Sequence, residues 1–309
     1  MIRLRENEIK SVWQTQRQID QNCGQVGSSK STKKDETKIM ARNKWHQEFA
    51  VVAISSLMVI GSNVIPAYSS EPDTKISAHN IGGNLTEEAG GGVIKGVVKF
   101  EGRQAKRKAL AMGADPVCAA AHGDVKALRE TFVFGDNNTL QNVFVYISKG
   151  LEGQTFPAST KEAILDQRGC VYTPHVLGVV VGQPIKVLNS DDTVHNVHTQ
   201  PKINTSFNKA QVPGAVLNTM FEDIEMGVSV KCDVHPWMKG YVHVMEHPFF
   251  AITQQDGTFE IKGVPPGNYE LATWHEFPKF KPDKKAYKVA VVEGQTTEIT
   301  VTYKPPTRK

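Results

Sequence analysis

From residue 93 onward the chain alternates apolar and polar side chains in short runs separated by Gly, Pro, Asn and Asp. Val93–Phe100 (VIKGVVKF), Asn142–Ile147 (NVFVYI), Val179–Leu188 and Gly240–Met245 (GYVHVM) are rich in β-branched and aromatic residues. Met226-Gly227 turns into Val228–Cys232, another short run of this kind. After His247-Pro248 the style changes. Asp256-Gly257 reads as a hairpin turn, Phe259 and Ile261 alternate inward, and Pro265-Pro266-Gly267 makes a rigid turn before Tyr269 and Leu271. Glu298–Tyr303 supplies a last alternating run. Helical periodicity is scarce, with room for one short helix in Ala109–Leu128. The pattern predicts an all-β fold. A β-sandwich over 93–247, carrying an insertion near 103–130, is followed by a smaller β-sandwich-like segment over 248–306. That segment either packs on the first sandwich or completes one begun by Val93–Phe100.

The first 69 residues are different. Residues 1–39 are polar and without apolar periodicity, the composition of a disordered extension. Arg42 and Lys44 then precede an uncharged, mostly apolar run, Phe49–Gly61, and Ala67-Tyr68-Ser69 gives a small-x-small ending. This order describes a secretory signal peptide at about 40–69. The run is shorter than the roughly 20 apolar residues that span a bilayer. Export to the periplasm or the extracellular space is expected. An uncleaved N-terminal anchor is the alternative, and it would be the one membrane attachment.

Charge follows the same division. The first 48 residues hold ten Lys/Arg against six Asp/Glu and account for the whole formal charge of +4, so residues 49–309 are neutral. A neutral folded part gives no basic face for a nucleic-acid partner.

Cleavage near Ser69 would leave three cysteines, Cys118, Cys170 and Cys232. Exported cysteines usually pair, and an odd one calls for an explanation. Cys118 and Cys170 stand in turn-like contexts (DPVC and QRGC) and are expected to form a disulfide; two buried thiols are the alternative. Cys232 is then the odd thiol, and it lies in the sequence Cys232-Asp-Val-His235-Pro-Trp-Met238, with His195 and His198 upstream in His195-Asn-Val-His198. One thiolate, two imidazoles and a weak axial thioether form the ligand set of blue-copper electron-transfer sites. Soft sulfur stabilises Cu(I), and imidazole serves both oxidation states. Zinc sites favour Cys and His without Met.

The C-x2-H-x2-M loop with proline after the His, together with the upstream H-N-V-H, resembles the cupredoxin family in its amicyanin-like members. The resemblance covers about residues 171–246. It implies a Greek-key β-sandwich holding one type 1 copper ion through His195, Cys232, His235 and Met238. It also implies that His198 is not a ligand, and that Asn196 ties the His strand to the Cys loop. Residues 256–271 resemble the carboxypeptidase regulatory-like, transthyretin-type sandwiches.

The resulting expectation is a protein that carries single electrons between redox protein partners. Pro236 and Trp237 would form an apolar entry patch beside a solvent-edge imidazole. A non-redox copper-, carbohydrate- or partner-binding module is the alternative. No catalytic residues are expected, because multicopper oxidases use H-x-H pairs and the sequence contains none. His122, His175, His243, His247 and His275 are not expected to bind a second metal.

Overall fold

Seventeen strands account for a little under half of residues 90–157 and 159–306, the part of the chain that the computed structural model describes. The export segment expected at 40–69 lies outside the described residues. In chain order the strands are β1 (Gly92–Phe100), β2 (Phe144–Lys149), β3 (Ala163–Gln167), β4 (Tyr172–Thr173), β5 (Val176–Val180) and β6 (Ile185–Asn189). β7 (His195–Gln200), β8 (Asn208–Gln211), β9 (Val216–Thr219), β10 (Glu225–Lys231) and β11 (Lys239–Met245) follow. The remainder are β12 (Phe250–Ile252), β13 (Thr258–Val264), β14 (Gly267–Trp274), β15 (Lys281–Pro282), β16 (Tyr287–Val291) and β17 (Thr296–Lys304). The insertion holds a single five-residue helix, α1 (Pro116–Ala120), where Asp115 caps the first turn by accepting from the Cys118 backbone N–H.

The strands form four sheets, which enclose two apolar cores. Sheets β5-β11-β10-β7-β8 and β4-β3-β6-β9 bury Leu165, Val187, Val197, Val230 and Val244 between them. Sheets β13-β1-β17-β15 and β12-β2-β14-β16 bury Ile94, Val145, Ile261, Leu271 and Val301. This is the expected all-β fold, a β-sandwich with a second sandwich beside it. A small cluster of Phe144, Val176, Val180, Met245 and Phe250 packs where the two meet.

Pairing departs from the sequence expectation in three places. First, of the two arrangements left open for the 248–306 segment, the one found is the sandwich begun by Val93–Phe100, so β1 and β2 do not pair within the 163–245 sheets. β1 runs parallel to β17 and antiparallel to β13, while β2 pairs with β12 and β14. The division at 247/248 therefore does not separate the sheets, and the second sandwich is completed by strands that precede the first. An alternating strand shows which face is buried and not which strand lies beside it, so the pattern could not decide this. Second, Val179–Leu188 is two strands in different sheets, broken at Gly182 with φ 74°. Third, Asp256-Gly257 is a turn but not a hairpin, because the flanking β12 and β13 belong to different sheets.

Two glycines are dictated by contact. A Cβ on Gly96 would stand 2.5 Å from the Phe259 ring. Gly227, at φ 71°, sits where the β10–β11 register shifts.

Candidate metal centre

β7 and β10 are antiparallel neighbours, with His198 opposite Lys231. β10 ends at Lys231 and presents Cys232. The chain then loops through six residues and returns as β11, Lys239 opposite Lys231. The loop is closed by the Met238 N–H donating to the His235 carbonyl at 2.9 Å and the Cys232 N–H to the Met238 carbonyl at 3.4 Å. It carries Cys232, His235 and Met238, all of which are buried. His195 opens β7 and is completely buried. The site is thus shared between a short loop and a separate strand.

Three donor atoms converge there. The Nδ1 atoms of His195 and His235 are 2.8 Å apart, and His235 Nδ1 lies 3.8 Å from Cys232 Sγ. All three donors fall within 4.8 Å of one another. The Nε2 atoms face away from this point. His195 Nε2 is 2.9 Å from Asp191 Oδ2, and His235 Nε2 is 3.0 Å from Asp115 Oδ2. A carboxylate only accepts, so each Nε2 donates outward and the two Nδ1 atoms face each other. Two nitrogens at 2.8 Å and a sulfur facing one point suit a cation, a shared proton in the metal-free protein or a metal ion in its place. The Nδ1 separation is within the span of two metal–nitrogen bonds of about 2.0–2.1 Å. The residues therefore fit a copper ion, and Cys232, His195 and His235 are the ones that could hold it, with the Met238 thioether buried in the same loop.

Electrostatics eases ionisation of the thiol and, in the absence of a metal, favours a proton on His195, which a metal ion would have to displace. Burial alone would push the Cys232 thiol up. Its hydrogen bonds with His195 and with the backbone N–H groups of Asn196, His235 and Val234 outweigh that and hold it below its ordinary value. Burial likewise disfavours a charged His195, yet hydrogen bonds and charge from Asp191 and Cys232 raise it to about 9. Asp115 is lowered to about 2, first by the Cys118 N–H and then by His235.

Asn196 links strand and loop as the resemblance implies. Its Oδ1 accepts from the Asp233 N–H at 2.6 Å and from Cys232 Sγ at 3.3 Å, while its own N–H points at Cys232 Sγ at 3.4 Å. His198 stands apart, half-buried, with Nδ1 2.8 Å from Asp233 Oδ2. Cys118 and Cys170 are joined in a disulfide, and Cys232 is the free cysteine among the described residues.

The entry patch needs correction. Pro236 is exposed and Trp237 half-buried, its ring 5.0 Å from that of His235. The imidazole itself is not at the solvent edge. His235 is only 2% exposed, because Asp115 and Cys118 of the insertion cover its outer nitrogen. Asp115 and Asp191 were not singled out from sequence. Asp191 lies four residues before His195, a readable signal, but Asp115 is 120 residues from His235.

No family model and no curated protein matches the chain. Among solved structures it is similar over part of its length to cupredoxins. A purple cupredoxin from Nitrosopumilus maritimus is 23% identical, with a TM-score of 0.24, over 26% of this chain and 98% of that one. A Cu(I) amicyanin variant is 19% identical, with a TM-score of 0.26, over 32% of this chain and 97% of that one. A Cu-containing nitrite reductase from Thermus scotoductus SA-01 is 18% identical, with a TM-score of 0.27, over 32% of this chain. The chain spans about a quarter, 26%, of that reductase.

Proposed function

We propose that this protein binds one copper ion as a type 1 centre and carries single electrons between redox protein partners outside the cytoplasm. The observation that carries the reading is the convergence of two outward-anchored imidazoles and one depressed-pKa thiol on a single buried point. Copper supplies the one-electron couple. The chain supplies the rest. Cys232 offers a thiol whose ionisation is eased below its ordinary value, and His195 and His235 offer Nδ1 in fixed orientations. Met238 would add a weak axial sulfur. Asn196 keeps the strand and the loop in register, so that the donors hold one arrangement in both oxidation states.

In this reading the protein is a carrier rather than an enzyme, and it has one metal site. Among the described residues, each group of His, Cys, Asp and Glu close enough to hold a metal shares His195 or His235 with this one site. Pro236 and Trp237 would form the rim of a partner-docking surface. Electrons would pass beside the covered His235 rather than through an exposed imidazole edge. Localisation in the periplasm or extracellular space rests on the signal-like segment at 40–69. The second sandwich, with its hydrocarbon core, would serve as a structural module of the transthyretin type.

The reading is tested by adding Cu(II) to the purified apo-protein, reducing with ascorbate and reoxidising with ferricyanide. An intense visible band that bleaches and returns over repeated cycles is expected. A colourless adduct, or a band that does not recover, would favour non-redox copper binding.

A further inference from the structure

Each half of the disulfide is tied to one of the two candidate ligand histidines, and in each case an aspartate makes the tie. On one side the Cys118 N–H donates to Asp115 Oδ1 at 3.0 Å, and Asp115 Oδ2 receives His235 Nε2 at 3.0 Å. The Thr193 hydroxyl also donates to Asp115 Oδ2, at 3.2 Å. On the other side the Cys170 N–H donates to Asp191 Oδ2 at 2.8 Å and the Gly169 N–H to Asp191 Oδ1 at 2.6 Å, while His195 Nε2 meets Oδ2 at 2.9 Å. Gly169 and Cys170 both adopt left-handed backbone, φ 65° and 55°, which turns two successive N–H groups toward one carboxylate. The bridge itself lies against the site, with Cys118 Sγ 3.8 Å from His235 Nε2. Trp237, half-buried beside His235, donates from Nε1 to the Cys170 carbonyl at 3.1 Å.

We propose that Asp115 and Asp191 are paired positioning residues, held in place by the Cys118–Cys170 bridge, that fix both imidazoles with Nε2 protonated and Nδ1 facing the shared point. Each carboxylate accepts from a half-cystine's backbone and from an imidazole together. An asparagine has one acceptor oxygen and a donor amide, so at Asp115 it loses either the Cys118 or the His235 bond, and at Asp191 it loses either the Gly169 bond or the Oδ2 bonds that Cys170 and His195 share. The disulfide therefore does more than close a chain loop. It joins the insertion to the β3–β4 corner, and so holds the two aspartates on opposite sides of one point. Partners of this kind fix the tautomer of a metal-binding histidine. The cysteine sulfurs near His195 and His235 are accordingly read as a clasp and not as further ligands.

This inference deepens the copper reading, and its first test does not need copper. Long-range proton–nitrogen NMR of the apo-protein reports which nitrogen of each imidazole carries a proton. Both histidines should carry a proton on Nε2, with at most one further proton shared between their Nδ1 atoms. Asp115→Asn should mix the tautomers of His235 alone, Asp191→Asn those of His195 alone, and Cys118→Ser/Cys170→Ser those of both. A general loss of packing would not select one ring. The Asp115→Asn readout stands even if Asp191→Asn misfolds, since Asp115 lies on the insertion. The second test is copper competition, where each variant should bind roughly 10- to 100-fold more weakly. Unchanged tautomers in Asp115→Asn overturn the positioning role even if copper binds. Selective tautomer changes in a protein that takes up no copper leave the positioning role standing and reject the copper reading.

Discussion

Two buried histidine environments in this protein have opposite chemistry. At the loop end of the first sandwich, burial pushes the His195 value down, but Asp191 and Cys232 reverse it and bring it to about 9. Where the two sandwiches meet, His243 is completely buried between Phe144, stacked at 4.1 Å, and Trp274, edge-on at 4.4 Å. Its Nδ1 accepts from the Gly227 N–H, and its Nε2 has no hydrogen-bond partner. Burial alone drives it to about 3. The same side chain therefore favours the positively charged form in one place and is locked neutral in the other. The difference comes from the carboxylates and the thiol, not from depth.

The largest separation between the two regions should come from removing a ligand. His195→Ala should abolish the intense visible band, while His198→Ala, whose ring is held by Asp233, should leave it intact. A copper titration of both variants checks this, and the reverse outcome would exchange the ligand assignment. Next comes packing. Leu271 is completely buried in the second sandwich. Leu271→Ala should cost about 2–5 kcal/mol in urea unfolding and leave the spectrum of the folded, copper-loaded protein unchanged. A shifted spectrum would mean that the second core also shapes the site.

The junction supplies a pH test. His243 has a folded value of about 3, against an ordinary value of 6.5 in the unfolded chain. Its neutral form is fully favourable above 6.5. As pH falls below that, the unfolded chain takes up a proton that the folded one refuses, and stability declines by up to about 1.4 kcal/mol per pH unit. His243→Gln should remove this dependence, so the stability difference between wild type and variant should change between roughly pH 6.5 and 4. Parallel curves would show that His243 does not carry the acid sensitivity. The smallest effect is expected at Met238, whose thioether would tune rather than bind. Met238→Gln should lower the reduction potential and Met238→Leu should raise it, with both proteins still coloured. Equal potentials by voltammetry would make Met238 a packing residue only.

The candidate site was legible where its chemistry is local. Cys232, His235 and Met238 fall within one seven-residue loop, and His195-Asn196 carries its own short motif. What could not be read depends on contacts far apart in sequence. Asp115 reaches His235 only because the bridge and α1 bring the insertion back over the loop. Glu225 accepts from the Lys202, Ile203 and Asn204 N–H groups, and the Tyr172 hydroxyl donates to the Asn196 carbonyl; neither contact leaves a mark in spacing. The fold class followed from alternation and turn residues. Partner choice did not, because β1 shows the same pattern whether it lies beside β17 or beside a strand of the first sandwich.

Copper–sulfur bonding at Cys232 is the claim on which the rest depends. Wild-type apo-protein and Cys232→Ser should be titrated with Cu(II) in one buffer, followed by visible absorption and electron paramagnetic resonance. Wild type should take up one equivalent with an intense thiolate-to-copper band, and Cys232→Ser should show no such band while its far-ultraviolet circular dichroism stays that of the folded sandwich. An intense band retained in folded Cys232→Ser, or no copper uptake by wild type, would contradict it.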